Sequence, residues 1–304
     1  MIDIIKTKLL DNSIDLNEEF KRLFHGRGGV YQELKFLTID SIDKILSVAF
    51  YKQCSEELEN KILNMLKEYI IDSRHTTIVL QRRYIYKTIT QIITGNLPDK
   101  VYAIENNLKF VLNLTTNQNS GYFPDMKNGR RYIQSISANK KVLNLFAYTC
   151  GFSLAAISGN AQSVVNIDMS KSALSIGRTN HHINNLDTKK VKFFPYNILK
   201  SFSRIKKLGA YDIVIIDPPT FQKGSFEASK DYIKIIKKLE SITTDKSVVL
   251  AALNSPDLNS SFIIDLFNKY APTFRFDKRL SNPKEFEVLD NQKSLKNLVF
   301  VKQI

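Results

Sequence analysis

The feature that most constrains the fold is a regular alternation that begins at residue 140. KVLNLFAY reads as a strand, FSLAAISG as a helix, SVVNIDM as a strand, SALSIGRTNHHINNL as a helix, and VKFFPYNI as a strand followed by a short helix. YDIVIID is again a strand, ASKDYIKIIKKLESI a helix and SVVLAAL a strand. Runs this rich in β-branched and apolar residues suit strands covered on both faces, and strand–helix alternation implies a parallel sheet with helices packed on it. The expected fold class is α/β, a Rossmann-like sheet, with FRFDKRL and LKNLVFVKQI as closing strands.

Upstream the rhythm differs. Residues 1–24 have an amphipathic helical pattern, and FHGRGGVYQEL breaks it as a loop. FLTID and ILSVAFYK read as strands, SEELENKILNMLKEYI as a helix opening on a Ser cap, and TTIVLQRRYIYKTIT as one further strand. KVYAIENNLKFVLNL gives two runs around Asn106-Asn107, a hairpin signal over about 100–116. A boundary near Pro98 is therefore expected, between a small N-terminal α/β domain (1–99) and a larger one (100–304).

With 304 residues and 43% hydrophobic content, the chain can bury a full core. MIDIIKTKLL lacks the apolar run and cleavage site of a signal peptide, and no stretch of about 18 apolar residues occurs, so a cytoplasmic protein without a membrane partner is expected. Two cysteines, Cys54 and Cys150, and four histidines without ligand spacing point to no metal. The net charge of +14 suggests a polyanionic partner such as RNA. Its distribution is informative: of 44 basic and 30 acidic residues, positions 1–99 carry 14 of each, leaving 30 against 16 in positions 100–304.

The strand YDIVII runs straight into Asp217, Pro218 and Pro219. Asp217 could cap a helix and the prolines could simply stop a strand. The prolines also hold Asp217 and Phe221 rigidly at a strand's carboxyl end, where open α/β sheets bind ligands. A first strand ending in a small-residue turn, NLFAYTCGFS, and a second ending in an acid, Asp168, form the common grammar of adenosine-containing cofactors. A dinucleotide needs its pyrophosphate on a G-x-G-x-x-G helix start, and only Gly151 is available. A nucleoside without phosphates fits better, which points to S-adenosylmethionine (SAM).

LNLFAYTCGFSLAA, VVNIDMSKSALSIGRTNHHINN, YDIVIIDPPTF and SGYFPDMKNGRRYI together resemble the class I SAM-dependent methyltransferases that modify bases of large-subunit ribosomal RNA, the RlmI and RlmK type. The resemblance implies a class I methyltransferase sheet and a catalytic residue set. It places Asn144, Phe146, Tyr148, Thr149 and Gly151 in the SAM loop, Asp168 on the ribose, Met169 beside adenine and Asn197 at the adenine edge, where the family usually has aspartate. Phe123, Asp125, Lys127 and Arg130 stand where the family reads Phe, Asp-x-Arg and a further Arg; Lys127 there replaces a planar fork by a point charge. DPPTF resembles the catalytic loop, with Asp217 accepting from the base, Pro218 and Pro219 stiffening the loop and Phe221 packing on the base. Thr220 stands where amine-modifying relatives put their aromatic, which argues against an exocyclic amine as target.

Methylating pyrimidine carbon 5 calls for a cysteine nucleophile, which the cytosine-modifying relatives carry after the strand that here reads VVLAAL; this chain has Asn254-Ser255 there. A ring nitrogen such as guanine nitrogen 7 needs only positioning. Asn254 matches an asparagine of the guanine-modifying relatives. His181-His182 reads as a packed or solvated pair. Lys230, Lys234, Lys237 and Lys238 could face RNA or solvent, and Arg27, or Arg82-Arg83 with Tyr84 and Tyr86, could contact RNA from the small domain. The expected function is SAM-dependent methylation of an RNA base. The alternatives are methylation of a small molecule or protein, a dinucleotide oxidoreductase, which the missing glycine pattern disfavours, and a non-catalytic RNA-binding module.

Overall fold

The computed structural model describes residues 1–85, 90–115, 119–219, 221–222 and 226–303. They fall into two units, Met1–Pro124 with Pro283–Asp290, and Asp125–Asn282 with Asn291–Ile304. The division lies at Pro124 rather than near Pro98, so the hairpin expected to open the second domain belongs to the first unit.

In the first unit the order is α1 (Ile2–Ser13), β1 (Lys21–His25), β2 (Leu37–Ile42), β3 (Ile45–Phe50), α2 (Glu56–Ile71), β4 (Thr77–Arg82), β5 (Thr90–Thr94), β6 (Val101–Glu105) and β7 (Leu108–Leu112). The first five strands form one sheet in chain order, with β3 and β4 parallel across α2. Ser55 caps α2, its hydroxyl accepting from the Leu58 amide. Ile5 and Leu9 of α1 and Ile62 and Leu66 of α2 are buried against Leu23, Ile39, Val48 and Leu80 of the sheet. β6 and β7 pair around Asn106 and Asn107, both at positive φ, the conformation a type I′ turn requires.

Two sequence expectations differ from this unit. The first helix stops at Ser13, and residues 21–25 are a strand instead of the helix's last turn. A bulge between Arg22 and Phe24 lets the consecutive Leu23 and Phe24 both be buried, which breaks the period of two that marks a strand. TTIVLQRRYIYKTIT holds β4 and ends on the first residue of β5, which pairs antiparallel with β4. No Gly or Pro marks the reversal. Tyr86 lies outside the described residues.

The second unit holds α3 (Lys127–Ile136), β8 (Lys141–Leu145), α4 (Gly151–Ser158), β9 (Ser163–Ile167), α5 (Lys171–Ile183), β10 (Val191–Phe194), α6 (Phe202–Lys207), β11 (Tyr211–Ile216), β12 (Phe221–Gln222), β13 (Phe226–Glu227), α7 (Ala228–Ile236), β14 (Thr243–Leu253), α8 (Ser260–Tyr270), β15 (Phe274–Leu280) and β16 (Lys296–Lys302). The sheet order is β10-β9-β8-β11-β14-β16-β15. β10 to β14 run parallel, and β16 lies antiparallel to both β14 and β15. The strand order reverses between β8 and β11, so the carboxyl ends there form the crevice in which open α/β sheets bind ligands. Leu143, Val214, Val249 and Phe300 line the core with Ile235, Ile263 and Phe267 of the covering helices. Among the described residues, no helix is long and apolar enough to cross a membrane.

Candidate active site

The turn after β8 carries three non-glycine residues in the left-handed region: Phe146 (φ 58°), Tyr148 (φ 46°) and Cys150 (φ 63°). Each costs on the order of 1 kcal/mol or more, and such strain persists where surrounding contacts over-determine the backbone. Those contacts are visible. The Ala147 amide donates to Ile167 O, that of Cys150 to Ala147 O, and Asn180 holds Thr149 O at 3.1 Å. Asp168, just past β9, accepts from the Tyr148 amide on Oδ2 and the Ser170 amide on Oδ1, both at 2.8 Å. One lone pair on each oxygen is thereby used and others remain for two hydroxyl donors. Beneath the turn, Asn144 donates to Asn166, Asn166 to Ser153, and Ser153 meets His181 at 3.0 Å, all buried. Burial pushes the His181 pKa down to about 4, so the ring is neutral at pH 7, and its Nδ1 lies 2.7 Å from Gly177 O.

Across the switch point, Asp217 follows the last residue of β11 and is only partly exposed; Pro218 is buried and Pro219 exposed. Burial raises the Asp217 pKa to about 7, the charge of Asp125 adds to the rise, and Arg130 opposes it. The entry to α3 and the end of β11, some 90 residues apart in sequence, therefore sense each other's charge. Arg130 is itself buried. β12 pairs with β13 after the prolines, and Phe226 of β13 packs edge-on against Phe146 at 4.9 Å, linking the turn after β8 to the loop after β11. Asn254 is exposed directly after β14, the strand neighbouring β11.

The sequence profile of the S-adenosylmethionine-dependent methyltransferases matches residues 21–301. The chain belongs to this family. It is similar to ribosomal RNA large subunit methyltransferase I of Aeromonas salmonicida, 29% identical over 193 residues, which cover 62% of this chain and 49% of that protein. A Bacillus subtilis protein provisionally named ribosomal RNA large subunit methyltransferase YwbD is 27% identical over 282 residues, 88% of this chain and 70% of its own. A crystal structure described as a methyltransferase complexed with SAH superposes with a TM-score of 0.86 at 22% identity, over 99% of this chain and 80% of that one. The chain thus spans about half the length of the Aeromonas relative.

The residues present fit the family's cofactor, SAM. Asp168 keeps acceptor capacity for a ribose diol, Met169 is 47% exposed beside it, and the amides of the left-handed turn stand at the same sheet edge. Asn197 caps a short helical turn, its Oδ1 accepting from the Lys200 amide at 3.2 Å, so one of its lone pairs is already engaged before any adenine edge. Asn144, in β8 before the turn, is 1% exposed and donates its amide to Asn166 inside the sheet. Thr149 is buried, and Gly151 opens α4. Asp125, in the short helical turn before α3, and Lys127 and Arg130, in the first turn of α3, belong to the second unit, whereas Phe123 is an exposed residue of the first. Thr220 lies outside the described residues, as does the side chain of Phe221.

Of the basic run at α7 and just past it, Lys230 pairs with Glu227 at 2.9 Å and Lys234 with Asp231 at 2.7 Å, while Lys237 sits over the Tyr270 ring and Lys238 is exposed. In the first unit Arg82 pairs with Glu59, whereas Arg27 and Arg83 flank Tyr51 at 4.1 and 5.3 Å from its ring centre. Of the two adjacent histidines, His181 is packed and His182 exposed. The left-handed turn residues and the buried Asn144–Asn166–Ser153–His181 chain had no signal in the sequence.

Proposed function

We propose that the protein methylates a base of RNA, within large-subunit ribosomal RNA, at a guanine ring nitrogen (N7-type) rather than at cytosine carbon 5. The observation that carries this reading is the placement of Asp217 and Asn254 just past the carboxyl ends of the adjacent strands β11 and β14, with no cysteine on either loop. Cys150 is fully buried, and burial with the nearby Asp168 charge raises its pKa well above the usual thiol value; Cys54 belongs to the first unit, and its thiol too is raised by burial. Neither is a thiolate placed for attack on a base. RNA as substrate is supported by the names of the relatives and by the basic excess of residues 100–304.

When bound, SAM supplies an electrophilic methyl group on a sulfonium centre. Asp217, held by two prolines, accepts from donors on the base edge, and the Asn254 amide grips the same edge. A ring nitrogen with its own lone pair needs no covalent activation, only alignment. The test is nucleoside mass spectrometry of ribosomal RNA from cells with and without the protein, joined to transfer assays on the undermethylated RNA. Loss of 7-methylguanosine, and full activity in a Cys54→Ser, Cys150→Ser double variant, are expected. Formation of 5-methylcytidine, or a covalent RNA adduct on either cysteine, would overturn the mechanism; unchanged RNA would leave methylation of a small molecule or protein.

A further inference from the structure

Two buried side chains that neither the cofactor contacts nor the base contacts use end on backbone at or just past the ends of the strands that carry Asp217 and Asn254. Tyr232 of α7 is 0% exposed, and its hydroxyl lies 3.2 Å from Ile216 O and 2.9 Å from Ala252 O. Ile216 immediately precedes Asp217, and Ala252 stands two residues before Asn254. The parallel ladder between β11 and β14 ends with the pair Ile216–Ala251. Carbonyls at that end need another donor once buried, and the Tyr232 hydroxyl shares its one proton between the two strands.

Lys296, the first residue of β16 and the partner of Leu253 in register, is also 0% exposed. Its ammonium donates to Ser255 O at 2.8 Å, Gln292 O at 2.6 Å and Ser294 O at 2.9 Å. Three protons meet three carbonyls. A buried cation is costly even when so well satisfied, and an apolar side chain of similar volume often serves stability as well or better. What the ammonium supplies is a fixed position for the peptide that follows Asn254. The Asn254 loop is thus held on both sides, by Tyr232 before it and Lys296 after it, and Tyr232 ties it to the Asp217 loop.

We propose that Tyr232 and Lys296 are positioning residues for methyl transfer: they lock the Asp217 and Asn254 loops to each other so that both side chains meet one base edge in a single arrangement. The proposal rests on the roles of Asp217 and Asn254 given above. Misplacement of reacting groups by about 1 Å can cost on the order of a hundredfold in rate, so loosening either tie reaches the chemistry without touching the cofactor.

The test compares Tyr232→Phe, Lys296→Met, Asp217→Ala and Asn254→Ala, singly and with Tyr232→Phe combined with Asn254→Ala, in transfer to undermethylated ribosomal RNA. Tyr232→Phe keeps the ring and its packing, so it reads the tie even where Lys296→Met lowers the folded fraction. It should bind SAM within about twofold of the native protein by calorimetry while kcat falls about ten- to a hundredfold. In the Asn254→Ala background the same change should cost less than in the native protein, because one of the two side chains it positions is gone. A residue that served stability alone would leave kcat per folded molecule intact, whereas an undiminished loss in the Asn254→Ala background would show that Tyr232 does not act through Asn254, and either result overturns the proposal. Native kcat in both Asp217→Ala and Asn254→Ala would instead remove the site assignment beneath it, a different failure seen in different variants.

Discussion

Replacing Asp217 by Asn should stabilise the cofactor-free protein at pH 8 and leave it nearly unchanged at about pH 3. Burial, with Asp125 adding to it and Arg130 opposing it, moves the carboxyl from 3.8 to about 7 in the folded state. Well below pH 3.8 the group is protonated whether the chain is folded or not. Between about 4 and 7 the folded state holds a proton that the unfolded state has released, so native stability falls as pH rises, and above about 7 it is level. Roughly three units at about 1.4 kcal/mol each set an upper bound of about 4 kcal/mol; the carboxyl retains some exposure, so about 2 kcal/mol is the working expectation. An amide of the same shape carries no charge and escapes this loss. The chain has no tryptophan, so urea unfolding at pH 4.5, 6 and 8 is best followed by far-UV circular dichroism. The variant's midpoint should exceed the native one progressively with pH, at unchanged m. Asp125→Asn, by removing a neighbouring charge, should shrink the native protein's own pH slope. Parallel pH dependence of the Asn variant and the native protein would falsify the burial argument. In catalysis, the native kcat/KM should rise with pH through about 7 as the carboxylate forms, and Asp217→Asn should lose that limb together with most of the rate.

Two further outcomes test the cofactor side. Asp168→Ala should weaken SAM binding by about 1.5 to 3 kcal/mol, since it removes a charged acceptor and frees the Tyr148 amide that the carboxylate holds, and equal affinity by calorimetry would contradict the ribose assignment. Gly177→Ala would bring a Cβ to 2.5 Å from Cys150 Sγ and 2.9 Å from Cys150 Cβ. It should cost about 1 to 3 kcal/mol and lower SAM affinity through the turn at Cys150, with partial recovery in a Cys150→Ala background; an unchanged melting temperature would show that α5 gives way freely.

The alternation from residue 140 was legible because its information is local: the period of apolar residues along the chain names the element, and an acid at a strand's end marks the edge where ligands bind. Asp168 and Asp217 therefore stand out in the sequence itself. The strand over 21–25 was not legible, because a bulge buries Leu23 and Phe24 together and erases the alternation; nor was the reversal between β4 and β5, which lacks Gly and Pro. In the site, the left-handed backbone at Phe146, Tyr148 and Cys150 has no compositional mark, since contacts from β9 and α5 impose it on residues that do not prefer it. The inward commitment of Asn144, the charge of Asp125 felt at Asp217, and the carbonyls held by Tyr232 and Lys296 are all relations between side chains and backbone brought together by the fold from distant parts of the chain. One-dimensional pattern determined which elements form and which acids stand at their ends. Only packing in three dimensions decided what each polar group spends its hydrogen bonds on, because that depends on which neighbour arrives within about 3 Å, and spacing along the chain does not encode it.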